Sequence, residues 1–231
     1  IAILNLRAGK QAKASVAYIS ALQYFQNSLQ LLSLNHCDKY YYELFECTLN
    51  IGETEFLLGN YSAANEYFEI GMTNAKTRLD KVKLFNLRIA LFNSQGEYDK
   101  AIESGMAGLT LYDFKIPSKL NDLVLFKEYL KVKTLFGQDP IAYIQSLPQI
   151  EDIEKIENIK LFLNIMDSIY LTNLTLGAYM AINTMFAVIN SGNSLVSSLA
   201  YINFAAFLCN IGEYKLGYTI GKYGIENVSD N

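Results

Sequence analysis

The sequence contains no tryptophan, one histidine, three cysteines and three prolines, and each shortage removes a class of function. A zinc centre needs about four ligands at set spacings; His36, Cys37 and Cys47 supply three at most. A Ser–His or Cys–His nucleophile pair would have to use that same His36, with no third group to orient it. Odd in number and irregularly spaced, the cysteines argue against a secreted disulfide scaffold and for a reducing, cytoplasmic setting. With 14 glycines beside the three prolines, turns are too scarce for an all-β sandwich.

Charge is also short. Only 18% of residues are charged and the net charge is −4. Lys and Arg are scattered, so no basic surface for phosphates is expected, and no nucleic acid is a partner. Gly9-Lys10 lacks the remainder of a phosphate loop. The carboxylates Glu151, Asp152, Glu154 and Glu157 sit at a helix start, where negative charge is favourable. No cofactor, metal or catalytic residue is expected, and the chain is not read as an enzyme. Between Ser168 and Gly212 there is no charged residue at all. Asn173, Asn183, Asn190, Asn193, Asn203 and Asn210 interrupt that stretch too often for a membrane span. Its composition is that of an interface centre, the alternative being a deeply buried pair of repeats inside a tightly wound superhelix.

What is present is apolar and periodic. Hydrophobic residues make up 51% of the chain, with no useful run of period-2 alternation. Short breaks recur: Gly59-Asn60-Tyr61 before Ala64 and Phe68; Gly96-Glu97-Tyr98 before Ala101 and Gly105; Gly177-Ala178-Tyr179 before Ile182 and Phe186; Gly212-Glu213-Tyr214 before Gly217 and Gly221. Gly137 lacks the tyrosine but has Ala142 at the same offset, and Gly9 with Ala14 forms a weaker upstream copy. A period of roughly 34 to 45 residues is one helix-turn-helix unit. Glycine ends the first helix, the aromatic packs into the joint, and the small residue admits the second helix closely.

First helices are expected near 39–58, 80–95, 119–136, 151–175 and 194–211. Second helices are expected near 12–33, 61–76, 98–112, 139–147, 178–190 and 214–226. Asp80 and Ser118 are the expected N-caps. The resulting architecture is all-α: an α-solenoid of about five tetratricopeptide-like helix pairs over 39–226, a partial repeat at 1–33 and no β-sheet, forming one domain over 1–231. The opening residues already read as helix, so the chain is expected to be a piece of a larger protein.

Counting back from each glycine along the first helices selects Asn50, Glu53, Asn86, Lys127, Glu128, Lys131, Ser168 and Asn203 as the candidate partner-binding groove. This polar set suits hydrogen bonding to an extended chain or a helix; the alternative is a solvated inner surface.

Three stretches taken together carry a resemblance. They are Asn5-Leu6-Arg7-Ala8-Gly9-Lys10-Gln11-Ala12-Lys13-Ala14-Ser15; Ala75-Lys76-Thr77-Arg78-Leu79-Asp80-Lys81-Val82-Lys83, continuing to Ala101-Ile102-Glu103-Ser104-Gly105; and Gly192-Asn193-Ser194 with Ala200-Tyr201, Leu208-Cys209, Gly212 and Gly217-Tyr218. In this order they resemble the tetratricopeptide-like helical region of multi-domain predicted ATPases and multi-sensor Ser/Thr and histidine kinases. The resemblance implies a non-catalytic protein-interaction and regulatory module of a large intracellular signal-transduction ATPase or kinase. Its partner would be a neighbouring domain of the parent, another copy, or a signalling protein. The alternative is a helical repeat domain that senses a ligand or peptide.

Overall fold

The computed structural model describes residues 1–34 and 38–229. It is all-α, a helical-repeat fold with no strand or sheet among the described residues. Two compact units divide the chain, Ile1–Gln95 and Gly96–Asn231.

The first unit contains α1 (Ala2–Ala14), α2 (Tyr18–Ser33), α3 (Tyr41–Leu57), α4 (Tyr61–Asn74) and α5 (Arg78–Ser94), with a turn of 3-10 helix at Asp38–Tyr40 ahead of α3. Successive helices pack on one another as hairpins. In the α3–α4 turn Gly59 takes φ +82°. Its N–H donates to the Phe56 carbonyl at 3.0 Å, and the Asn60 N–H donates to the Glu55 carbonyl at 2.9 Å. These two bonds satisfy carbonyls that the helix end would leave unpaired.

Gly9 is not the first break. It lies inside α1, and the chain turns at Val16, which takes φ +62°. The same bond pair recurs there, Val16 N–H to Lys13 and Ala17 N–H to Ala12. Val16-Ala17-Tyr18, followed by Ala21 and Phe25, is thus a full copy of the repeat with valine in the glycine's place, and α1–α2 is a complete hairpin. Ala21, Phe25, Ala64 and Phe68 are fully buried. A Cβ on Gly9 would lie 2.5 Å from the Phe25 ring.

The second unit contains α6 (Tyr98–Thr110), α7 (Asp122–Phe136), α8 (Pro140–Ser146), α9 (Ile153–Asn164), α10 (Met166–Thr172), α11 (Leu174–Ser191), α12 (Ser197–Asn210) and α13 (Tyr214–Ser229). Gly96, Gly137 and Gly212 have positive φ. Gly177 does not mark a turn; it is buried within the first part of α11. The break there is Asn173, whose side chain accepts from the Leu176 N–H at 3.0 Å and caps the helix. The single helix expected over 151–175 is accordingly two, α9 and α10, parted at Ile165.

The expected caps also shift. Thr77 caps α5 in a reciprocal box with Asp80 three positions on, and Asn121, not Ser118, caps α7.

One long-range backbone bridge ties the second unit together. The Asn193 N–H donates to the Pro148 carbonyl at 2.7 Å, and the Ile150 N–H donates to the Asn193 carbonyl at 2.8 Å. The Asn193 amide also donates to the Ile144 carbonyl, while its oxygen accepts the buried Tyr201 hydroxyl. Gly192 makes the approach possible: at φ +111° a Cβ would stand 2.3 Å from the Pro148 oxygen.

Candidate interaction grooves

In the first unit the expected polar residues are engaged by neighbours. Lys13 of α1 donates to Asn50 Oδ1 at 2.6 Å and to Glu53 Oε2 at 2.8 Å, both on α3. Asn50, which is buried, also donates to the Glu46 carbonyl. Lys10 of α1 and Lys83 of α5 flank Glu46 at 2.6 and 3.7 Å. Asn86 on α5 is buried as well. The result is a ladder of alternating charge running from α1 through α3 to α5, and in this state it spends its hydrogen-bonding capacity within the repeat stack.

A second polar knot closes the α4–α5 connection. The Tyr41 hydroxyl donates to Asp80 Oδ2 at 2.6 Å and accepts the Lys76 N–H at 2.7 Å. The Thr77 N–H also reaches Asp80 Oδ2. Burial, reinforced by the hydrogen bond to the Asp80 carboxylate, pushes the Tyr41 hydroxyl up to about 12.

Cys47 is buried beside Ser28, to which its thiol donates at 3.2 Å; burial raises its pKa. Among the described residues no cluster of three or more His, Cys, Asp or Glu side chains could hold a metal ion. His36 and Cys37 lie outside the described residues.

A concavity in the second unit is different in kind. An open groove of about 890 Å³ runs between the first half of α7, the α10–α11 junction and the end of α12. Tyr129 and Phe207 form its buried floor, ring centroids 5.9 Å apart. Leu123, Phe126, Leu174 and Ile211 line it and remain exposed. At one end Glu213 accepts from Lys133 at 2.5 Å and from the Tyr129 hydroxyl at 3.0 Å. The Lys133 hydrogen bond, then that of Tyr129, lowers the Glu213 pKa, and Glu213 in turn raises that of Lys133.

None of the eight residues counted from the glycines lines this groove. Lys127 and Lys131 are exposed on α7, with Lys131 paired to Glu128 at 2.7 Å. Ser168 is fully buried on α10 and Asn203 is half-buried on α12. The signal that does mark the groove is the uncharged stretch from Ser168 to Gly212, which contributes Tyr170, Leu174, Thr175, Ala178, Phe207, Asn210 and Ile211. That stretch divides between two fates. Met180, Ile182, Met185, Phe204 and Leu208 are fully buried, while Leu171, Leu174, Leu195 and Leu199 face outward. By length and composition α11 could cross a membrane; here it packs against α7, α9, α10 and α12.

Against known proteins, the chain is similar to hybrid signal transduction histidine kinase G of Dictyostelium discoideum. The two are 23% identical over 256 aligned positions, which take in 96% of this chain and 7% of the kinase. This chain therefore spans a small fraction of that relative's length. No family description matches it, and no solved structure does. The similarity supports a kinase-related origin and a link to signalling.

Proposed function

We propose that the chain is a non-catalytic protein-interaction and regulatory module of a large intracellular signal-transduction kinase or ATPase, acting in the cytoplasm. The observation that carries this reading is the similarity to a hybrid histidine kinase along nearly the whole chain. The open apolar groove of the second unit supports it, because exposed Leu123, Phe126 and Leu174 side by side form a patch of the kind that partners cover. Lys127 and Lys131, beside that patch on α7, would form part of its polar rim. A neighbouring domain of the parent is the proposed partner.

The test is deletion of this segment from the full-length gene product. Autophosphorylation or ATP turnover should change several-fold, and cross-links between the segment and another domain should be found in the intact protein. Unchanged activity without such cross-links sinks the proposal.

Ligand or peptide sensing is the second reading. The groove favours it by its volume, about 890 Å³, which lies within the size range of small-molecule sites.

A further inference from the structure

We propose that the groove of the second unit receives an amphipathic helix whose apolar stripe is edged by lysine or arginine. This rests on the reading of the chain as an interaction module and names the chemistry of what the module takes.

The walls set the shape. Leu123 and Phe126 line the groove from α7, and Leu130, exposed beyond the lining, continues the same stripe at a spacing of four. Leu174, 75% exposed, faces the groove from the start of α11, and Ile211 faces it from the end of α12. The floor beneath is buried: Tyr129 is 2% exposed and Phe207 4%. Helical ridges of this kind pack against the ridges of another helix, and helix-in-groove recognition is read as apolar anchors at i, i+3, i+4 and i+7.

Apolar walls alone would accept any hydrophobe; the charges decide among them. Two charged residues line the groove, Asp122 and Glu213, and both are acidic. Asp122 stands at the first turn of α7, and its carboxylate has no ion-pair partner among the described residues. Glu213 sits toward the other end of the groove side of α7, shared between Lys133 and Tyr129. Lys127, four residues on from Leu123, stands at the outer rim of the stripe about 100° round α7 from Phe126, Lys131 is turned further still, and neither lines the groove. The remaining polar lining, Thr175 and Asn210, is neutral. A helix with acidic edges would meet like charge at Asp122, whereas a basic edge would be drawn to it.

Two designed helices with the same leucine stripe, one edged by Lys and one by Glu, provide the test. Each is titrated into the chain by fluorescence anisotropy. The Lys-edged helix should bind roughly tenfold more tightly than its Glu-edged counterpart. Phe126→Glu and Leu174→Glu should each cost at least about tenfold in that affinity, and Asp122→Asn a smaller, several-fold loss. All three positions are exposed, so melting temperatures should hold. Equal affinity for the two helices overturns the charge assignment. Binding that survives both Phe126→Glu and Leu174→Glu overturns the location. Self-association that Phe126→Glu abolishes, seen by sedimentation, would make a second copy the occupant and overturn the proposal too. If the helices fail to bind while deletion of the segment still alters autophosphorylation, this inference falls and the module reading stands.

Discussion

Gly52 and Phe68 form one joint: a Cβ on Gly52 would lie 2.7 Å from the Phe68 ring, which is fully buried between α3 and α4. Gly9 and Phe25 repeat the arrangement in the hairpin before it. In the last hairpin both partners are small, with Ala205 on α12 facing Gly221 on α13, where a Cβ would stand 3.1 Å from that of Ala205. Each joint holds one large residue at most, on one side or the other. Gly52→Ala should therefore overpack the core and cost about 1–3 kcal/mol. Ala64→Leu, at the neighbouring closed contact, should do the same, and so should Ala101→Leu in the second unit. Denaturant titration checks this. If these variants unfold at the parent's midpoint, the joints are softer than described.

Val16 offers a change of opposite sign. A β-branched residue at φ +62° is strained, and its side chain is exposed, so it loses little packing when removed. Val16→Gly should raise stability by about 1 kcal/mol, after the added freedom of the unfolded chain is set against the relieved strain. A lower midpoint would show that the valine contributes through contacts.

Tyr41 should govern part of the alkaline unfolding. Its folded-state pKa of about 12 lies above the ordinary value of 10.0. A proton held more tightly in the folded state stabilises fully below the unfolded pKa and is lost as pH rises through the folded one. Stability should decline between those two values, and Tyr41→Phe should flatten that decline while lowering stability at neutral pH. An identical pH profile in the variant would remove Tyr41 as the cause.

Reversing Lys127 and Lys131 together should tighten docking of a partner edged by lysine or arginine several-fold, since both lie on the exposed face of α7 at the outer rim of the apolar stripe. Melting temperature should not move. Unchanged affinity, measured between the chain and the rest of the parent supplied separately, would take these lysines out of the rim.

Much of the helix order could be read from the glycines, because a positive φ at a helix end leaves a recognisable residue behind. Gly59, Gly96, Gly137 and Gly212 all turned out to occupy such ends. Val16 escaped notice because it adopts that conformation without the residue type that advertises it. Gly177 misled for the converse reason: its Cβ position is 3.3 Å from the Tyr170 ring, so the small size serves the packing of α11 on α10 and not a turn. The groove was hidden more deeply. Counting back from turns selects a helix face, but which face stays open depends on tertiary packing. Asn50 proved buried under Lys13, whereas Leu123 and Phe126, apolar and therefore easily read as core, stand open to solvent. Only the missing charge between Ser168 and Gly212 pointed there.

The bridge between Pro148 and Asn193 gives the second unit a mechanical character of its own. Stacked hairpins under tension should peel one after another, since each holds mainly to its neighbours. Here the backbone bonds at Asn193 fasten two points of the chain far apart in sequence, and α9, α10 and α11 lie within the loop they close. A pull on the ends bypasses that loop until the fastening gives. In an optical trap the second unit should thus yield a discrete lengthening of about 160 Å, the extended span of the enclosed segment. Asn193→Ala, which removes the side-chain bonds to Ile144 and Tyr201 that hold the bridge in place, should lower the force of that step. A parent trace without such a step would mean that the bridge bears no load.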